Sequence, residues 1–347
     1  MLKIITANQK EEWNWYVSKS AEHDFYHTWS YHLLEKSGEP VLFLYTNEED
    51  FIAFPLIKRQ IDDTPWFDLS SVYGYAGPIS SRKSTDLSDE FINNFNVAFL
   101  EYLRENQIVS VFSRLHPFFD QQGLIRHFSG ITSNGKTVAI DLRQPYEEQI
   151  KNFDKNIRAT VSKLTRKGYQ VKEHTSQEEI RLFTTIYRET MMRVSASASY
   201  LFDEHYFTSL LQAPDFDCRL LLVYAEGEPV CGTIITLTGD IIQSHLTATK
   251  TSYLRESPAK FLFNYVTILG RQLGMKFFNL GGGVGFREDS LFAWKRAFSD
   301  YCLNYYTWRF IANRDVYYSL LENRGIDPDC QVDFFPLYRS KALPLEQ

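Results

Sequence analysis

Apolar positions along this chain alternate between two signals, helical stripes at i, i+3 and i+4 spacing and short unbroken runs of strand length. Residues 9–20 place Trp13, Tyr16 and Val17 on one side of a helix, and Phe25 to Gly38 reads as a second helical stretch stopped by a glycine. Two strand-like runs follow, Val41 to Tyr45 and Phe51 to Ile57, joined by the polar turn TNEED, which is a hairpin signal. A further strand leads into the loop Tyr73 to Pro78, a helix is expected from about Leu87 to Glu105, and a strand from Ile108 to Leu115.

In the second half, Glu147 to Gly168 reads as one amphipathic helix, with Ile150, Phe153, Ile157, Val161 and Leu164 as its stripe and Gly168 as its C-cap. Helices are expected over Gln177 to Val194 and Asp203 to Leu211. Then the earlier order returns: a hairpin of Cys218 to Ala225 and Pro229 to Thr238, a third strand Ile241 to Thr249, a helix from Ser257 or Pro258 to Leu273, and a strand Met275 to Leu280. This predicts an α/β (α+β) chain built from one unit used twice, residues 1–145 and 146–347. The strand-like run Tyr301 to Phe310 and the tail either close the second unit or pack back on the first.

The last of these strands breaks into Gly281, Gly282 and Gly283, with Gly285 close behind. Backbone without Cβ lets a ligand approach closely. Asp289 or Ser290 is placed to cap a helix carrying Leu291, Trp294 and Phe298. At 100° per residue Lys295 lies about 40° from Leu291 and about 60° from Phe298, so it borders the apolar face. A lysine there either meets an anionic partner or extends its ammonium past the edge of the core into water.

Composition is that of a globular chain: 347 residues, 44% hydrophobic, 23% charged, formal net charge −6. The length suits about two domains, and nothing approaches an 18-residue uncharged apolar run. The acidic balance argues against DNA binding. The N-terminus lacks the apolar core of a signal peptide, which predicts a cytoplasmic protein, and the four cysteines are scattered without metal-ligand spacing, so they are expected to be reduced thiols. On the helix 147–168, Lys151, Lys155, Arg158, Lys163, Arg166 and Lys167 form a local positive patch, read either as a solvated face or as a site for an anion such as a pyrophosphate, a tRNA acceptor end or a phospholipid surface.

No zinc pattern, phosphate-cradling GKS/GKT loop, GxSxG elbow or Cys/His nucleophile is present. The GGGVG run is no dinucleotide fingerprint, because no βαβ crossover follows it. What remains is the unit itself. Hairpin, third strand, loop, helix and strand is the element order of the GNAT acyltransferase fold, in which the loop before the helix holds a carrier pyrophosphate. Here that loop is TKTSYLRESPAK, with Ser257 placed as N-cap, Pro258 as first helical residue and Lys260 in the first turn. It lacks the family's Q/R-x-x-G-x-G/A glycines.

Across nearly its whole length the chain resembles the FemAB/FemX aminoacyltransferases of the GNAT superfamily. The passages that carry the likeness are FYHTWSYHLL, YGYAGPI, SRLHPFF, NIRATVSKLTRKGYQV, YRETMMRVSASASYLFDEHYF, SHLTAT followed by SPAKFLF, and LGGGVGFREDSLFAWKRAFS. The resemblance implies two tandem GNAT-like units, each a mixed sheet flanked by helices, and attack by an acceptor amine on an activated acyl ester or thioester. It places Lys295 near the acceptor phosphate and the developing oxyanion, with Gly282 and Gly283 beside it. Arg193, Tyr200 and Tyr206 fall in the passage lining the acceptor cleft, and Thr247 lies on the strand whose backbone binds the donor carbonyl, so Thr247, Ser257 and Lys260 are the donor-side candidates.

His245, on that strand, is either a general base or a structural histidine. Arg114 and His116 end a first-half strand and serve either a ligand or the fold, and Tyr75 is either cleft wall or turn packing. The resemblance implies no tightly bound cofactor and no metal; the acyl donor is aminoacyl-tRNA or acyl-CoA. The implied partners are a small-molecule or lipid-linked envelope precursor, with a tRNA acceptor end and peripheral contact with the inner membrane as further candidates. The expected function is acyl or aminoacyl transfer to an amine of a cell-envelope precursor. Two alternatives stand beside it: acyl-CoA-dependent N-acetylation of an amino sugar, and a non-catalytic precursor-binding protein.

Overall fold

The computed structural model describes residues 1–197 and 200–340. In chain order the elements are β1 (Leu2–Thr6), α1 (Lys10–Lys19), α2 (Trp29–Leu33), β2 (Glu39–Thr46), β3 (Phe51–Gln60), β4 (Phe67–Ser70), β5 (Ile79–Ser80), α3 (Asp89–Glu105), β6 (Ile108–Arg114), α4 (Gln121–Leu124) and β7 (Ile131–Asp141). They continue with α5 (Tyr146–Asn152), α6 (Lys155–Arg166), β8 (Gln170–His174), α7 (Gln177–Arg193), α8 (Glu204–Leu211), β9 (Asp217–Ala225), β10 (Glu228–Thr238), β11 (Ile241–Thr249), α9 (Pro258–Gln272), β12 (Phe277–Gly281), α10 (Ser290–Arg296), β13 (Cys302–Ile311) and α11 (Arg314–Asn323). The chain divides into two compact units, Met1–Asn134 with Tyr305–Gln347, and Gly135–Asn304.

In the first unit the strands run in the order β1, β2, β3, β4, β6, β13, with β5 beside β3. Every pairing is antiparallel except β4 with β6, which is parallel from Phe67↔Ile108 to Ser70↔Phe112. Helix α3, capped by Ser88, lays Phe91, Phe95 and Phe99 on Phe43, Phe54 and Trp308 to make the core. The C-terminal elements belong here: Tyr317, Leu321 and Tyr338 pack on Ile61 and Val109.

The second unit repeats the plan, in the order β7, β12, β11, β10, β9, β8. Among the described residues its one parallel pairing is β11 with β12, and it spans three residues, Ile241↔Phe277 to Gln243↔Asn279. Helix α9 packs Leu262, Phe263 and Val266 against Ile235, Ile242 and Phe278 on one face of the sheet. On the other face, Gly232 sits against the Phe183 ring of α7 so closely that a Cβ there would lie 2.7 Å from it.

Three expectations change. The units do not divide at 145/146, because residues 138–141 of β7 pair with β12 of the second unit and residues 307–311 of β13 pair with β6 of the first. The amphipathic stretch 147–168 is two helices. Phe153 takes an extended conformation that drops its ring into the core against Phe298, and the Asp154 amide donates to the Ala297 carbonyl, so the break is held by burial and a hydrogen bond. The stretch from Phe25 is one 3₁₀ turn followed by the short α2, because Asp24 and His27 cap each other's backbone and Thr28 is extended. Gly168 does follow α6 with φ +77°, as a C-cap glycine should.

Candidate active site

The glycine run forms where β12 ends. Gly281 turns the chain at φ +77°, and its amide is held by the Asn279 side chain at 3.1 Å. A Cβ on Gly283 would lie 2.1 Å from the Arg287 carbonyl oxygen, so only glycine fits there. The loop closes through Asp289, which caps α10 by accepting from the Phe292 amide at 2.9 Å and also accepts from the Val284 amide at 3.0 Å. Those amides hold the Asp289 carboxyl below its usual pKa. One helical turn later, the Lys295 ammonium reaches back and donates to the Gly282 carbonyl at 2.7 Å. Burial lowers this lysine's pKa to about 8, opposed by the Asp289 charge. The residue of α10 that enters the core is Phe292, while Leu291 is exposed, so Lys295 lies over the glycine loop rather than along the stripe Leu291 was expected to lead.

β11 runs six residues past its last pair with β12. Before that point the two strands are tied through side chains, Asn279 Nδ2 donating to Gln243 Oε1 at 2.8 Å, both buried. Beyond it, residues 244–249 keep β10 as their ladder partner and β12 turns away into the glycines. The sheet therefore opens like a V beside Gly281. His245 is the extra residue of a bulge, since the register shifts from Ile234↔Leu246 to Ile235↔Ser244. Its Nε2 lies 3.3 Å from the Tyr206 hydroxyl on α8, and the Tyr206 ring stacks on Phe202 at 3.9 Å. Burial pushes the His245 pKa down to about 3. The range expected of a general base is therefore not met; the ring is neutral near pH 7 and suited to exchanging a hydrogen bond with Tyr206.

At the far end of β11, Thr249 turns its N–H and C=O to the Thr190 hydroxyl (3.2 and 3.1 Å), and Arg193 donates to the same carbonyl (3.1 Å) and to Thr251 Oγ1 (2.9 Å). Backbone direction alternates along a strand, so Thr247 presents its N–H and C=O on that same edge, away from β10. Its hydroxyl is engaged with Thr233 at 2.7 Å.

Residues 151–296 match the family model described as "Acetyltransferase (GNAT) domain". Among solved structures the chain is similar to FemX, with 13% identity over 92% of this chain and 99% of that one at TM-score 0.70. It is also similar to L-PGS from Bacillus licheniformis, with 16% identity over 90% and 96% at TM-score 0.56. A third likeness is to the C-terminal domain of a putative lysylphosphatidylglycerol synthetase from Agrobacterium fabrum, with 15% identity over 82% and 88% at TM-score 0.52. No curated protein matches the sequence. Residues 151–296 form a GNAT acyltransferase domain, in a chain with a FemX-like fold.

In this acyltransferase the loop before α9 is built differently from the expectation in one respect. Pro258 is the first helical residue, but Ser257 has φ +54° and turns its hydroxyl back to the Leu254 carbonyl, so its side chain caps nothing. Lys260 donates to Asn156 of α6 at 3.1 Å, and burial lowers its pKa against the pull of Asp154. Glu256 pairs with Lys163 of α6 and with Lys167, the C-cap of that helix, at 3.2 and 3.0 Å, which fastens the basic helix to the loop. Tyr200 accepts at its carbonyl from the Tyr187 hydroxyl at 2.7 Å, and its side chain is more than a third exposed.

Tyr75, Arg114 and His116 of the acyltransferase lie in the first unit. His116 is buried with its Nε2 2.9 Å from Asp24, its ring stacked on Phe119 at 3.8 Å and edge-on to Tyr75 at 5.8 Å. Arg114 lays its guanidinium over the Phe112 ring at 4.8 Å. Among the described residues no group of three or more His, Cys, Asp or Glu is arranged for a metal. Reading the sequence missed Gln243 and Asn279, which tie the V at its apex, and Thr190, which holds its far end. A signal was present for Asn279 alone, a lone amide in the otherwise apolar strand FFNLG, whereas Gln243 stands among the polar residues of IIQSHLTAT.

Proposed function

We propose that this acyltransferase moves an acyl or aminoacyl group from a carrier to an amine of a cell-envelope precursor, at the opening between β11 and β12. The observation that supports this most is the V itself. A strand edge freed at Gln243 stands beside a glycine loop over which an ammonium is fixed. On this reading the donor carbonyl accepts from the Thr247 amide, and the acceptor amine attacks its carbon. The carbonyl oxygen becomes an oxyanion, stabilised by the Lys295 ammonium, and collapse expels the carrier's oxygen or sulfur, which takes up the proton lost by the amine. The Lys295–Gly282 bond holds that charge in place before substrate arrives, so little reorganisation is needed during reaction. Gly282 and Gly283 admit the acceptor backbone or phosphate. His245 and Tyr206 form the wall on the α8 side, and Arg193 fixes the end of β11. Tyr200 is proposed to bound the acceptor path, with Ser257 and Lys260 on the donor side, while Tyr75, Arg114 and His116 are proposed to serve the packing of the first unit.

FemX and lysylphosphatidylglycerol synthetase among the structural relatives favour an envelope precursor or lipid as acceptor, and the resemblance to the FemAB/FemX family adds aminoacyl-tRNA as donor. The acetyltransferase family match favours the donor of the second reading, acyl-CoA, which that reading joins to an amino sugar as acceptor. Thermal shift with acetyl-CoA, free CoA, aminoacyl-tRNA and UDP-linked muropeptide or amino-sugar precursors separates them, because a ligand that binds the native state raises the midpoint. A rise with aminoacyl-tRNA and none with CoA species supports the first reading; a rise with CoA species supports the second. A response to precursor alone, with no transfer from any donor, overturns both.

A further inference from the structure

Past its last pair with β12, at Gln243, β11 carries two residues that are not buried, Ser244 and Thr247. Their hydroxyls belong to one row. Thr247 Oγ1 lies 2.7 Å from Thr233 Oγ1 of β10 and 3.4 Å from Ser244 Oγ, and Thr233 donates to the Leu246 carbonyl at 3.0 Å. Cys231 and Ile235, two residues either side of Thr233 on its strand, belong to the core formed with Leu262 of α9 and Phe292 of α10. The row therefore faces the side of the sheet that carries α10 and Lys295. His245 faces the other way, to Tyr206 of α8, whose neighbour Phe207 packs on Phe183 of α7.

Donor counting gives the row a direction, because a hydroxyl has one hydrogen to donate. Thr233 commits its hydrogen to the Leu246 carbonyl, so Thr247 donates to Thr233 and Ser244 donates to Thr247. The Thr247 proton is held by a short bond to a buried partner, while the Ser244 proton rests on a bond at the outer limit of length. Ser244 is the member of the row that can turn, and its oxygen can accept a hydrogen bond as it does so.

We propose that Ser244 is a catalytic residue that carries the proton from the attacking amine to the departing carrier atom. The step rests on the reading given above, in which the donor carbonyl sits on the Thr247 amide. As the amine nitrogen bonds to the carbonyl carbon, its proton passes to Ser244 Oγ, and Ser244 passes its own hydroxyl proton to the carrier's oxygen or sulfur. The C–N bond forms, the carbon–carrier bond breaks, and the serine ends as it began. A hydroxyl suits this exchange because it donates and accepts at one atom, so no charged base has to be buried at the opening. The Lys295 ammonium stays on the oxyanion, and His245 on the opposite face takes no part. Thr247 acts through Ser244 as a positioning residue, since its hydroxyl, fixed by Thr233, offers the resting place from which the serine proton turns.

The test is single-turnover transfer by the full-length protein from acetyl-CoA and from aminoacyl-tRNA to a UDP-linked muropeptide or amino sugar. Ser244→Ala should lower the rate by about 10²-fold, the usual worth of a placed proton carrier. The donor concentration giving half the maximal rate should change by less than about two-fold, because the hydroxyl serves the transition state and not binding. Ser244→Thr, which keeps the hydroxyl, should recover most of the rate, and Thr247→Val should lose less than about ten-fold, the worth of one neutral hydrogen bond. Ser244 is half-buried with one long bond in the row, so each variant should melt with the parent by far-UV circular dichroism. A folded Ser244→Ala protein that transfers at the parental rate overturns the proposal and leaves the functional reading standing. So does a variant whose half-maximal donor concentration rises while its rate holds, because the hydroxyl then serves binding. Transfer by the unmodified protein from neither donor overturns that reading and this step with it.

Discussion

The two units build the same parallel strand pair and finish it differently. In the first, β4 is four residues long and ends at Ser70↔Phe112, where its pairing with β6 ends; the Ser71 amide still donates to the Phe112 carbonyl, and the Ser71 hydroxyl accepts from the Arg114 amide. In the second, β11 is nine residues long and its last pair with β12 falls at the third. The first sheet is closed at this point and the second is open. Around the closed one, polar groups satisfy one another: Asp24 accepts from the Phe25 amide and meets His116, and Gln121 accepts from the His116 amide and lies 3.4 Å from His27. Burial holds His27 well below its usual pKa, which keeps this network free of an added positive charge. Around the open one, a cation is held over glycines and a strand edge faces outward. One architecture thus supports either a sealed core or an open strand edge, depending on how far one strand outruns its neighbour.

The largest effect expected is on turnover. Lys295→Ala removes the charge assigned to the oxyanion and should lower kcat by about 10²–10³-fold, read by transfer assays alongside an unchanged melting curve. In the first unit the balance should reverse. Asp24→Ala leaves His116 and the Phe25 amide without their buried acceptor and should cost about 3 kcal/mol of stability, visible in a denaturant midpoint, while the folded fraction keeps its kcat. Loss of kcat from that variant without loss of stability would make the first-unit network part of the chemistry.

The pH profile sharpens the contrast. The active form of Lys295 is the ammonium and its pKa is lowered to about 8, so activity should be level below that pH and fall above it as the proton is lost. The same shift acts on stability with a defined sign. Lysine in the unfolded chain titrates near pH 10.4, so between about pH 8 and that value the unfolded state binds more protons, and this group's contribution favours the fold increasingly as pH rises. Asp289→Asn removes a charge that raises the Lys295 pKa, and should move the alkaline fall in activity to lower pH. The smallest effect is expected for Tyr206→Phe. With His245 neutral and no longer offered the phenol, kcat should change by less than about ten-fold, the usual worth of one neutral hydrogen bond.

The repeated element order was legible because each half carries its own periodicity, whereas the angle arithmetic for Lys295 started from Leu291, which is exposed, and the ammonium instead lies on the Gly282 carbonyl. The Gly281–Gly283 run announced its backbone turn, and the structure gives the reason at Gly283, where a Cβ has no room. Other features depend on partners distant in sequence. That β7 closes the second sheet and β13 the first is a matter of strand pairing, on which hydrophobic pattern is silent when a strand such as ITSNGKTVAID is half polar. The break at Phe153 was hidden because an apolar residue on a helical stripe looks the same whether its backbone is helical or extended. The low basicity of His245 comes from burial among residues far along the chain, so its position on a strand gave no sign of it.

The account rests on acyl transfer occurring at the opening of the second unit. The most direct measurement is single-turnover transfer from labelled acetyl-CoA and aminoacyl-tRNA to an amine-bearing envelope precursor, comparing the unmodified protein with Lys295→Ala. The account predicts transfer from one of these donors and a loss of about 10²–10³-fold in a variant that melts where the parent does. Undiminished transfer by a folded Lys295→Ala protein would contradict it.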